Sequence, residues 1–176
     1  MTKRQGKWIS LRELILFAMF GALMFCSKLI MEGLPNIHLL GMFTIAFTIV
    51  YRQKALIPIY VYVFLVGLYG GFAYWWIANL YTWTILWGVC MLLPRKMPKP
   101  LAVVVYCTAC GLHGLSYGAL SAPPEAIIHG FDLNQTLAWI ASGLPFDVTH
   151  AVGNVVSALL VLPLSDLLFK LEKRYN

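Results

Sequence analysis

Asp147, His150 and Asn154 stand at i, i+3 and i+7 in an otherwise apolar stretch. On a helix this spacing places a carboxylate, an imidazole and an amide within about 60° on one face, over about 10 Å of rise. Asn79, Thr82, Trp83 and Trp87 repeat at similar helical spacing and are preceded by Trp75 and Trp76. His113, Ser116 and Tyr117 form a third group, and Lys28 with Glu32 a fourth. Two chemistries suit these residue types. A few convergent polar groups among aromatic and aliphatic ones can hold a solute of moderate size. Alternatively, Asp147 and His150, with His113 or His38, could serve as metal ligands or as acid and base in a small membrane enzyme. No second acidic motif of strict spacing accompanies them, and a hydrolase needs more than one aspartate and scattered histidines. The first reading is preferred; no catalytic residue, resident metal or cofactor is assigned.

The elements that carry these groups are membrane helices. The 176 residues are 60% hydrophobic and 11% charged, with a mean hydropathy of +0.76, which leaves too few polar side chains to coat a water-facing core. Six apolar runs are expected as spans: 11–31, 37–51, 55–74, 77–94, 101–122 and 145–169. Together they make one compact all-α bundle. The second run is short, about 22 Å as a helix, but the charge pattern requires it. With six crossings, 12 of the 13 basic residues fall on one side: Lys3, Arg4, Lys7 and Arg12; Arg52 and Lys54; Arg95, Lys96 and Lys99; Lys170, Lys173 and Arg174. By the positive-inside rule that side is cytoplasmic, so both termini are expected inside the plasma membrane. The net charge of +6 is thus an orientation signal and not a nucleic-acid surface. Lys3-Arg4-Gln5-Gly6-Lys7 resembles the start of a signal peptide. The apolar run after it is about 20 residues long with no small-residue cleavage site, so it is expected to remain as the first span.

Local punctuation agrees with these limits. Pro35 precedes the second run, Pro98 and Pro100 precede the fifth, and Pro145 suits the first turn of the sixth. Pro163 is expected to kink the last span. The segment from Pro123 to Gly143 is expected as the one long loop, on the external side, with Glu125, His129, Asp132, Asn134 and Gln135. Under this topology Lys28, Asn79, Trp83, His113, Tyr117, Asp147, His150 and Asn154 all lie in the outer half. The inner half is nearly free of polar groups, so the expectation is a cavity open outward and closed below.

Simpler roles compete for several of these residues. Tyr74, Trp75, Trp76 and Tyr81 also suit an interfacial aromatic belt. Lys28 and Glu32 could pair along their own helix. His38, His129 and Glu125 are expected near the external surface. Cys107 and Cys110 have redox or metal spacing, but they lack a second pair and lie within a span; all four cysteines are read as packing residues.

Ala18-Met-Phe-Gly-Ala22 in the first helix, six apolar helices in under 200 residues and both termini inside together resemble the substrate-binding S components of energy-coupling-factor vitamin transporters. The similarity spans nearly the whole chain. Leu34-Pro-Asn-Ile-His38 and Gly143-Leu-Pro-Phe-Asp-Val-Thr-His-Ala-Val-Gly-Asn154 look like segments of one Firmicute branch of that family. The resemblance implies that Ala18 and Ala22 dock on a transmembrane T component and that two ABC ATPase subunits supply the work. It also implies that the first external loop, about Met31 to Ile37, gates a vitamin pocket in the outer half. The chain has no G-x-x-x-x-G-K-[ST] loop of its own. The branch points to cobalamin or another corrinoid as cargo, with pantothenate, folate-like pterins and queuosine precursors as alternatives. A free metal ion is disfavoured, because the metal-carrying members use an N-terminal metal-binding segment and this N-terminus is basic and lacks histidine.

Overall fold

The computed structural model describes residues 9–94 and 96–175. Lys3, Arg4, Lys7 and Arg95 lie outside the described residues. The described chain is helical, with no strand: α1 (Leu11–Ile30), α2 (Leu40–Tyr51), a 3₁₀ turn (Arg52–Ala55), α3 (Leu56–Gly70), α4 (Tyr74–Leu92), α5 (Lys99–Leu115), α6 (Tyr117–His129), α7 (Leu133–Ala158) and α8 (Val161–Tyr175). Three helical runs, 11–30, 40–70 and 99–129, are long and apolar enough to cross a membrane. The bent pair α7–α8 makes a fourth if it counts as one.

The outer surface is made of side chains that water does not suit. Leu14, Ile15 and Met19 on α1, Phe64 and Leu68 on α3, Val104 and Leu112 on α5, and Val148, Val152 and Val156 on α7 are all exposed. Such a surface, continuous over several helices, fits a hydrocarbon surround. Inside it, α2 is the central element. Every residue from Leu40 to Thr48 is buried, as befits a helix apolar all round. The hydroxyl of Thr48 is accommodated there by donating to the Thr44 carbonyl at 2.6 Å.

The 40–70 run is two antiparallel segments. Leu40 borders the same cavity as Tyr62 and Val66, whereas one straight helix would separate Leu40 from Val66 by about 39 Å. The reversal occurs at Arg52, whose backbone is left-handed with φ 54° and ψ −118°. Its guanidinium Nη2 donates to the Met91 carbonyl at 2.9 Å, at the C-terminal end of α4, where a cation also suits the helix dipole. The Trp87 indole donates to the Arg52 carbonyl at 3.1 Å. Beside this turn, Lys54 Nζ meets Glu13 Oε1 at 2.6 Å and so ties the turn to the first coil of α1.

Between Pro123 and Gly143 the expected loop is replaced by helix. α5 passes through a turn at Ser116 into α6, and only residues 130–132 separate α6 from α7. Gly130, at φ 66°, ends α6 in the left-handed conformation that favours glycine. α7 then opens on a reciprocal cap: the Gln135 backbone N–H donates to the Asp132 side chain at 2.8 Å, and the Gln135 side chain accepts from the Asp132 backbone N–H at 2.9 Å. Pro145 therefore lies inside α7 and not in its first turn. Pro123 and Pro124 are tolerated inside α6 because a neighbour takes up a freed acceptor. The carbonyl of Leu120, which the ring of Pro124 leaves without its helical donor, accepts the Tyr81 hydroxyl at 2.6 Å. Pro163 has the expected consequence: α7 and α8 meet at 45°, across the residues just upstream of it.

Candidate functional site

At the end of the bundle away from Arg52, Lys54 and Lys99, the last turns of α1 and α3, the first turns of α4, the segment 31–39, α6 and the middle of α7 surround one cavity of about 410 Å³. Its walls include Tyr62, Trp75, Trp83 and Tyr117; its polar groups include Lys28, Asn79, Ser121, Glu125, His38 and His150. The side of its mouth is formed by the segment Met31 to Ile37, of which Met31, Glu32, Leu34, Pro35, Asn36 and Ile37 border the space. Asn36, at φ 59°, provides the sharp turn in that segment.

The base is an aromatic cluster held edge to face. The ring of Trp83 lies 5.7 Å from His38, 6.1 Å from Tyr62 and 6.2 Å from Tyr117, centroid to centroid. His150 lies 4.6 Å from His38 and 5.0 Å from Tyr117. Trp83 is almost fully buried, and its indole N–H donates to Asn79 Oδ1 at 3.2 Å, one turn back on α4. Buried tryptophans normally satisfy that N–H; here the bond also fixes the Asn79 amide at the cavity wall. His38 Nδ1 and His150 Nε2 are buried without a protein hydrogen-bond partner. Each neutral imidazole carries one donor and one acceptor nitrogen, so each of these two rings at the cavity wall keeps one uncommitted nitrogen.

Of the eight residues singled out for ligand binding, Lys28, Asn79, Trp83, Tyr117 and His150 border the cavity. Asp147, Asn154 and His113 stand behind its lining. Asp147 is buried, and its Oδ1 accepts the Gly118 backbone N–H at 3.0 Å. That N–H belongs to the first turn of α6, where no side chain of α6 itself provides a cap, so the carboxylate from α7 does so across the helix pair. Only glycine fits at 118, because a Cβ there would run into the carboxylate. Asn154 is fully buried and donates to the Cys110 carbonyl at 3.1 Å, which joins α7 to α5. His113 Nε2 lies 3.0 Å from the Thr82 carbonyl, and its ring lies behind Trp83, centroids 5.4 Å apart and tilted by 40°.

The structure adds His38 and Glu125 to the wall, as well as Tyr62 and Ser121. Tyr62 is one of three tyrosines in α3, with Tyr60 and Tyr69, and nothing in the sequence marked it out from the other two. Trp75 borders the cavity, whereas Trp76 donates to the Val63 carbonyl at 2.8 Å and serves the packing of α3 on α4. Lys28 and Glu32 do not pair: no ion pair or hydrogen bond joins them among the described residues. Ala18 is exposed and Ala22 half-buried, beside the face of α1 that packs through Phe17, Gly21 and Met24. No group of three or more His, Cys, Asp or Glu side chains is gathered for a metal ion among the described residues. No family model matches the chain, and no curated protein or solved structure matches it.

Proposed function

We propose that the chain is the substrate-capture subunit of an energy-coupling-factor importer in the plasma membrane, and that the cavity beside the 31–37 segment is its vitamin site. The observation that carries this reading is the aromatic and polar cavity of about 410 Å³ at the end of an apolar bundle away from Arg52, Lys54 and Lys99. Six crossings, α1, α2, α3, α4, α5–α6 and α7–α8, put Arg52, Lys54, Lys96, Lys99, Lys170 and Lys173 on the cytoplasmic side together with both termini, and the cavity outside. The segment 31–37 serves as the gate. A T component docks along the small face begun by Ala18 and Ala22, and two ABC ATPases provide the energy.

The volume favours a compact cargo. About 410 Å³ lies at the low end of sites that enclose drug-sized ligands, which suits a molecule the size of pantothenate, a pterin or a queuosine precursor. A whole corrinoid would need the gate segment displaced. Native mass spectrometry of the detergent-purified protein, grown in rich medium, tests the reading. One small organic molecule retained per chain is the expected result. A protein that retains none, and binds no member of a vitamin panel, would overturn it; a stoichiometric metal ion in place of an organic molecule would favour the membrane-enzyme alternative.

A further inference from the structure

Lys28 borders the cavity with no ion-pair or hydrogen-bond partner among the described residues. It is half-buried in the last turns of an apolar helix, a position where an ammonium is costly unless something compensates it. The two carboxylates that also border the cavity make other contacts, and neither bonds Lys28. Glu125 Oε2 lies 3.4 Å from His129 Nε2, and Glu32 Oε2 accepts the Tyr69 hydroxyl at 3.5 Å on the exposed rim. At the other end, His38 Nδ1 and His150 Nε2 are buried without partners beside the ring of Trp83.

The geometry points to a small organic carboxylate as the cargo, its anionic group paired with Lys28 near the gate and its neutral, hydrogen-bonding end held between the Trp83 ring and the His38–His150 pair. The inference rests on the capture reading and narrows it. An uncharged molecule would leave the Lys28 ammonium without a direct partner when the gate closes, whereas a carboxylate forms a charge-assisted hydrogen bond there. Two imidazoles that each keep one uncommitted nitrogen suit an amide, hydroxyl or heterocyclic edge better than a second anion.

Matched pairs of probes test this, with the full-length protein in detergent and calorimetric titration at neutral pH: nicotinate against nicotinamide, pantothenate against pantothenol, and pterin-6-carboxylate against pterin. At least one acid is expected to bind ten times or more tighter than its uncharged counterpart. Lys28→Met should bring that acid down to the affinity of its counterpart, while Lys28→Arg retains the difference. Equal affinities within every pair, or an acid whose affinity is unchanged in Lys28→Met, would overturn the inference. So would a wild-type chain with a cooperative melt that binds none of the acids. The pairs measured on the wild-type chain decide the matter if Lys28→Met does not fold. The molecule retained in native mass spectrometry separates the two failures: an uncharged or cationic one sinks the carboxylate and leaves the capture reading in place, whereas none retained and no vitamin bound removes both.

Discussion

His150 borders the cavity, while Asp147, one helical turn earlier on α7, caps the first turn of α6. The same shared face therefore carries two different roles, and they separate experimentally. Asp147→Ala removes a charge-assisted bond to a buried N–H and should lower stability by about 2 kcal/mol, with ligand affinity per folded molecule unchanged. His150→Ala should instead leave the thermal midpoint nearly in place and weaken binding about tenfold, about 1.4 kcal/mol. Melting curves and titrations on both variants check this; an affinity loss in Asp147→Ala equal to that in His150→Ala would return Asp147 to the site. The residue types and their common face were legible in the sequence. Their division was not, because a 60° stripe on a helix enclosed by α5 and α6 is wide enough for one member to meet a cavity and the others a neighbouring backbone. Lys28 was legible for a different reason: it is the one basic residue outside the cytoplasmic set of the six-crossing pattern, so its cost at that depth marked it in advance.

The helices themselves are written in the apolar runs, and their ends less so. α1, α3 and α4 begin and end within a few residues of the runs that announced them. The stretch from Pro123 to Gly143 did not declare itself, because two adjacent prolines and a cluster of polar residues have the composition of a loop. The capping pair Asp132 and Gln135 was a local sign of a helix start, and what the sequence hides is the distant partner that makes α6 tolerable. Tyr81 supplies it by donating to the Leu120 carbonyl that Pro124 leaves free. Tyr81→Phe should therefore cost about 1 kcal/mol of stability by stranding that acceptor. Pro124→Ala restores an N–H to the same carbonyl, so Tyr81→Phe should cost almost nothing in its background. A double-mutant cycle on thermal unfolding in detergent measures the coupling; additive losses would mean that the hydroxyl serves α6 in some other way.

At the scale of the molecule, the cavity and the basic turn of Arg52 and Lys54 occupy opposite ends, and that turn decides how many times the chain crosses between them. Were the 40–70 run a single span, Gln53 would sit near mid-bilayer; with the reversal, Gln53 is exposed beside Arg52 and Lys54 at the end of the bundle away from the cavity, the cytoplasmic surface under the proposed topology. Asn134, at the tip between α6 and α7, belongs to the opposite surface, carried outward by a helical run whose 31 residues reach about 46 Å and exceed the hydrocarbon thickness of about 30 Å. Single cysteines at these two positions, in a background with Cys26, Cys90, Cys107 and Cys110 replaced by alanine, should then behave oppositely toward a membrane-impermeant maleimide. Asn134→Cys is expected to label on intact cells, and Gln53→Cys only after the cells are opened. A Gln53→Cys thiol that resists the reagent in both conditions would place that residue in lipid and reduce the crossings, whereas one labelled from outside would reverse the orientation and put the cavity on the cytoplasmic face.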